Sequence, residues 1–123
     1  MMIGMIMSII YQLKKREKMI KTFKELFEEI KKFKKDEALF ICDPTDKEIK
    51  ELEYCFNIKN LKKKDVISIF DFEPNVVFFK KLKLYGLYID NLDRDNLFFA
   101  KICSTKDPQK IYNIIKAIRK CYV

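Results

Sequence analysis

From Met19 onward, apolar residues recur at spacings of three and four: Met19, Ile20, Phe23, Leu26, Phe27, Ile30 and Phe33. That is the period of one helix face. Lys24, Glu28 and Lys32 alternate in sign four residues apart on the polar side, where such pairs support a helix. The pattern predicts a core-facing helix over residues 19–35. Ala38 to Cys42 then runs apolar without a break and reads as a buried strand, ended by Asp43-Pro44. Thr45 and Glu48 have the spacing of a capping box, in which each side chain satisfies a free backbone amide of the first helical turn. The helix that follows presents Ile49, Leu52, Cys55 and Phe56 on one side. Asn57 to Lys64 is a basic loop, and Val66 to Phe72 is β-branched and aromatic enough to be the next strand.

Residues 74–86 support two segmentations. As a helix, Pro74 and Asn75 open it, Phe78, Phe79, Leu82 and Tyr85 face inward, and Gly86 closes it as a C-cap. As a strand, Glu73-Pro74-Asn75 is a turn, and Lys81 to Leu84 alternates with a period of two. The helix is preferred, because Gly86 then stands immediately before a fresh strand. Leu87 to Asp90 and Leu97 to Cys103 pair as an antiparallel hairpin across the polar turn Asp93 to Asn96. Asp107-Pro108 starts a last helix, whose stripe is Ile111, Ile115, Ile118 and Tyr122 with Ile114 beside it.

The predicted order is therefore α-β-α-β-α-β-β-α. Right-handed crossovers would make the first three strands parallel and the fourth antiparallel, giving an α/β domain with a single mixed sheet flanked by helices. The fallback is an α+β domain ending in a β-meander. Residues 19–123 form this single domain. Residues 1–18 are an extension, apolar over 1–13 and basic after it, with Met19 available as an alternative start. Thirteen apolar residues rise about 20 Å as a helix, short of the roughly 30 Å hydrocarbon core, so a membrane anchor is disfavoured.

Composition narrows the chemistry. With no histidine in 123 residues, a His-containing zinc site and a Ser-His-Asp triad are excluded. Two glycines are too few for a P-loop or a dinucleotide fingerprint, whose backbones must approach phosphate closely. Apolar residues at 49% argue against a disordered chain. Cys42, Cys55, Cys103 and Cys121 lack metal-ligand spacing. Three of them fall on apolar stripes, so they read as buried thiols in a reducing, cytoplasmic setting. Dense Lys and Glu with two Gln are compatible with a thermophilic source.

The net charge is +8, and residues 1–35 hold ten Lys/Arg against four Glu. Residues 36–58 are acidic, at −5. Lys outnumbers Arg 23 to 3, which favours solvated faces over the bidentate forks that read bases or grip phosphate.

Two constellations could carry chemistry. In the parallel topology Asp43, Asp71, Glu73 and Asp90 stand at the C-terminal strand ends, where open α/β sheets bind ligands. Convergent carboxylates there could hold Mg²⁺ for phosphoryl transfer or nuclease chemistry. Each is also an ordinary turn former or helix cap. The second constellation is basic: Lys62, Lys63 and Lys64 in the loop, with Lys116, Arg119 and Lys120 on the last helix, could contact a nucleic-acid backbone without sequence preference. The leading expectation is a binding or assembly module without enzyme activity, requiring no cofactor and meeting a protein partner or another copy of itself.

Overall fold

The computed structural model describes residues 19–33, 41–69, 72–93 and 96–120. The extension 1–18, Asp71, Arg94, Asp95 and Cys121 lie outside them, as does most of the strand expected at 38–42. The elements run α1 (Phe23–Lys31), β1 (Ile41–Cys42), α2 (Asp46–Phe56), β2 (Val66–Ile69), β3 (Asn75–Phe79), β4 (Leu84–Asp93), β5 (Asn96–Thr105) and α3 (Pro108–Lys120). Lys63–Asp65 makes one 3-10 turn before β2. Among the described residues no helix is long and apolar enough to cross a membrane.

Local chemistry sets the helix ends. Thr22 caps α1 by accepting the Glu25 amide at 3.1 Å, so the helix starts four residues later than its apolar stripe, and Met19 is left exposed. The capping box of α2 is complete: Thr45 Oγ1 accepts the Glu48 amide at 3.2 Å, and Glu48 Oε1 accepts the Thr45 amide at 2.8 Å. Asn57, left-handed at φ 55°, closes α2, a conformation that asparagine tolerates better than most residues.

The sheet corrects the expected topology. It is five-stranded in the order β1-β2-β3-β4-β5, with every neighbouring pair antiparallel. The mixed parallel sheet and its two βαβ units are absent, and the C-terminal strands form the meander of the fallback. The decisive segment is 74–86. It holds β3, a turn over residues 80–83 and the start of β4, in place of the helix that its sequence favours. Four residues between strands allow a hairpin and forbid a crossover. The turn is held by the Lys83 amide donating to the Lys80 carbonyl at 3.3 Å, with Lys83 at φ 49°.

Both sheet faces are covered, so the architecture has three layers. On one face α1 and α3 bury Leu26, Ile30, Ile111 and Ile115 against Ile69, Val76, Tyr85 and Leu87. On the other, α2 buries Ile49, Leu52 and Phe56 against Val66, Val77, Phe79, Tyr88 and Phe99. Successive residues of β3 therefore go to opposite cores, Val76 and Phe78 to the first and Val77 and Phe79 to the second. A strand buried on both sides has no polar positions, and its apolar run looks the same as a piece of buried helix.

Two details shape the β4–β5 hairpin. Leu87 pairs with Cys103 and Tyr88 with Lys101, so Ile102 is the extra residue of a bulge. Ile102 and its neighbour Cys103 accordingly pack on the same core. Gly86 is an interior residue of β4 rather than a helix cap, and the Phe56 ring rests over it.

Candidate functional site

Of the acidic residues singled out from the sequence, the structure brings Glu73 and Asp90 together and sets Asp43 apart. Asp43 follows β1, is exposed, and lines a cleft of about 350 Å³ with Pro44, Thr45, Lys63 and Lys64. Glu73 and Asp90 come within electrostatic reach of each other, joined by Glu48 from the first turn of α2. Asp71 is outside the described residues. Antiparallel pairing is the reason Asp43 stands apart: β1 runs opposite to β2, whereas β2 and β4 run the same way, so Glu73 after β2 and Asp90 on β4 share an edge. Among the described residues no group of three or more Cys, Asp or Glu side chains is placed to hold a metal ion.

A buried polar cluster lies where Asp90 meets the α2 side of the sheet. Ser68 of β2 and Tyr88 of β4 are fully buried. Ser68 Oγ, the Tyr88 hydroxyl and Asp90 Oδ1 have no hydrogen-bond partner among the described residues. The two hydroxyls approach one another without reaching hydrogen-bond geometry, and burial drives the Tyr88 pKa well above the phenol range. Burial also lifts the Asp90 carboxyl above its ordinary value, with the charges of Glu48 and Glu73 adding to the effect. Burial of Asp90 disfavours folding whenever its carboxyl is charged.

That cost has a pH signature. A carboxyl whose folded pKa is raised binds its proton more tightly folded than unfolded. Stability therefore falls as pH rises from the unfolded value of about 4 through the raised one. Asp90→Asn is expected to raise the thermal midpoint at neutral pH, with the gain shrinking as pH is lowered towards about 4. Melts of both proteins across that range check it; an equal loss at every pH would contradict it.

The basic candidates are divided between layers and partly engaged. Lys62, Lys63 and Lys64 precede β2 beside α2, where Lys63 pairs with Asp46 at 3.0 Å. Lys116, Arg119 and Lys120 belong to α3, on the opposite face. The Arg119 guanidinium lies 4.4 Å from the Phe72 ring centroid and donates to the Glu73 carbonyl at 3.0 Å. It fastens α3 to the segment that enters β3. Lys116 sits 5.4 Å from the Tyr112 ring centroid. These cations do not form one phosphate-tracking stripe.

Cys55 and Cys103 are free thiols. They are half-buried where full burial was expected. They pack against opposite cores, and burial raises both pKa values while Lys101 opposes the rise. Raised thiol pKa values describe inert packing groups.

The feature that sequence reading missed is the outer half of the β4–β5 hairpin. β3 pairs with β4 only from Leu84 to Tyr88, whereas β4 and β5 continue together to Asp93 and Asn96. The last part is thus a two-stranded arm beyond the sheet. On its α1/α3 side Ile89 and Phe98 are 42% and 49% exposed. Ile89 pairs with Ala100, and Phe98 with Asn91, so the two large side chains are diagonal neighbours on one face. On the other side α2 covers Phe99. Alternation after Leu87 already assigned Ile89 to the Leu87 face; the missing knowledge was that the covering helices stop short of it. Comparison with protein-family models, with curated proteins and with solved structures finds no match to this chain.

Proposed function

We propose that this chain is a protein-binding or assembly module, without catalytic activity of its own, that engages its partner through the outer β4–β5 hairpin. The observation that carries the reading is the adjacent pair Ile89 and Phe98, about half exposed on an arm whose outer edges pair with no other strand among the described residues. Isolated apolar side chains on a surface are ordinary, but adjacent ones beside unpaired strand backbone offer both contact area and hydrogen bonds to another chain. Phosphate binding ranks lower, since the lysines and Arg119 are split between opposite layers. At the N-terminus of α2, the other natural anion cradle, the capping box already takes the Thr45 and Glu48 amides, and Asp46 and Glu48 place negative charge there.

The test is site-specific photocrosslinking in cells of the protein's own source. A benzoylphenylalanine at position 98 is expected to give a discrete protein adduct, and one at the exposed position 47 none. No adduct at 98, or the same products from both positions, overturns the reading.

A further inference from the structure

We infer that the chain has a second docking site, at the other end of β4 from the arm, which takes an acidic peptide segment. One aliphatic side chain of that segment seats in a pocket between the α2–β2 loop and the β3–β4 turn. The site shares no residue with the hairpin surface. Ile58, Leu61, Phe79 and Leu82 line the pocket, whose volume is about 110 Å³, and Lys59, Lys62 and Lys81 share its wall. Hydrogen bonds hold it open in advance. The Leu61 amide donates to the Glu53 carboxylate of α2 at 3.2 Å, pinning the loop. The Lys80 amide donates to the Asp65 carbonyl at 2.8 Å, and Lys80 Nζ donates to the Lys64 carbonyl at 3.2 Å, so the turn is tied to the loop. A preformed pocket spares a ligand the cost of ordering it.

The charge around the pocket selects the occupant. Lys59, Lys62, Lys63 and Lys64 on the loop are exposed, and so are Lys80, Lys81 and Lys83 on the turn. The acids beside them are already engaged: Asp46 with Lys63 at 3.0 Å, Asp65 with Lys81 at 3.4 Å, and Glu53 with the Leu61 amide. Lys59, Lys62, Lys64 and Lys83 have no ion-pair partner among the described residues. An apolar recess inside uncompensated positive charge is complementary to an apolar side chain flanked by carboxylates. A cavity of about 150 Å³ takes a benzene molecule, so this smaller one suits a single aliphatic side chain. The free lysines outnumber what one small acid can meet, which points to a chain carrying several carboxylates. Other polyanions fit less well. A nucleobase stacks on an exposed ring, and Phe79, the aromatic of the wall, is 1% exposed. A bilayer is entered by a broad apolar face, and here Leu82 is the one large apolar side chain of the wall that is exposed.

The experiment is fluorescence anisotropy of the full chain with a fluorescein-labelled peptide of Asp and Glu residues around a single leucine. Circular dichroism confirms that each variant is folded. Binding is expected with a Kd on the order of 100 µM or tighter at low ionic strength, weakening as salt rises. Replacing the leucine of the peptide by serine should weaken it about tenfold. Lys59→Glu combined with Lys62→Glu, both at exposed positions, should weaken it by about tenfold or more. Lys116→Glu combined with Lys120→Glu makes the same charge change on exposed positions of α3 and should alter the Kd by no more than about twofold. No binding on the order of 100 µM, equal losses from the two double variants, or indifference to the leucine each overturns the site. Displacement of the peptide by a single-stranded oligonucleotide, or by phosphatidylserine vesicles, at lower concentration than by unlabelled peptide overturns it in favour of nucleic acid or membrane. None of these results bears on crosslinking at position 98, so the hairpin reading stands or falls separately.

Discussion

Ile115→Ala is expected to destabilise the fold by about 2–5 kcal/mol, the range for removing a buried aliphatic side chain and leaving a cavity. Ile115 is completely buried, as is Ile111 one turn earlier, and both face Val76 and Leu87 of the central strands. A single domain holds only about 5–15 kcal/mol in total, so this one truncation removes a large share. Lys116→Ala, at the next residue, is the control. Its side chain is exposed and forfeits only a contact with the Tyr112 ring, worth about 0.5–1 kcal/mol at an exposed site. Denaturant melts of the two variants separate the cases, and equal small losses would mean that α3 does not dock by this stripe.

The second large effect is expected at Gly86, where two opposed contributions must be weighed. Gly→Ala in a strand interior normally gains up to about 1 kcal/mol through reduced entropy of the unfolded chain. Here a Cβ would stand 2.5 Å from Phe56 Cε1, 2.6 Å from Cζ and 3.0 Å from Val77 Cγ1. The ring cannot swing aside freely, since it lies edge-on to Phe79 and Tyr88 with centroids 5.3 and 6.1 Å away. Overpacking of this kind costs about 1–3 kcal/mol or more, so the clash wins and Gly86→Ala is destabilising. Combining it with Phe56→Leu should recover part of the loss, a coupling that a double-mutant cycle measures. A neutral or stabilising Gly86→Ala would mean that α2 stands further from β4 than the structure places it.

The Phe56 ring over Gly86 shows why sequence alone takes this glycine for a helix cap. Close approach of a helix to a strand and a helix C-cap both require a residue without Cβ, and nothing local tells the two apart. Proximity of Gly86 to a new strand favoured the cap, and that choice carried the parallel topology with it. Once residues 75–79 are a strand, the meander follows from loop length alone, and Asp43 leaves the edge that Glu73 and Asp90 still share. The candidate surface was legible only in part. Ile89 and Phe98 were visible as apolar strand residues, but exposure is a property of what lies across from them.

What the chain determined by itself is local: the Thr45–Glu48 capping box, the Asp107-Pro108 start of α3, the amphipathic stripes of α1 and α3, and the β4–β5 hairpin around its polar turn. Each rests on contacts within a few residues or on a period that one buried face imposes. Tertiary structure decided the rest. It made residues 75–79 a strand because two cores, one on either side, accept alternate side chains of a run that is apolar throughout. It buried Ser68 and Tyr88 beside Asp90, and it let β4 and β5 outrun β3, exposing Ile89 and Phe98. These outcomes depend on which segments meet across the fold, and neither period nor propensity encodes that.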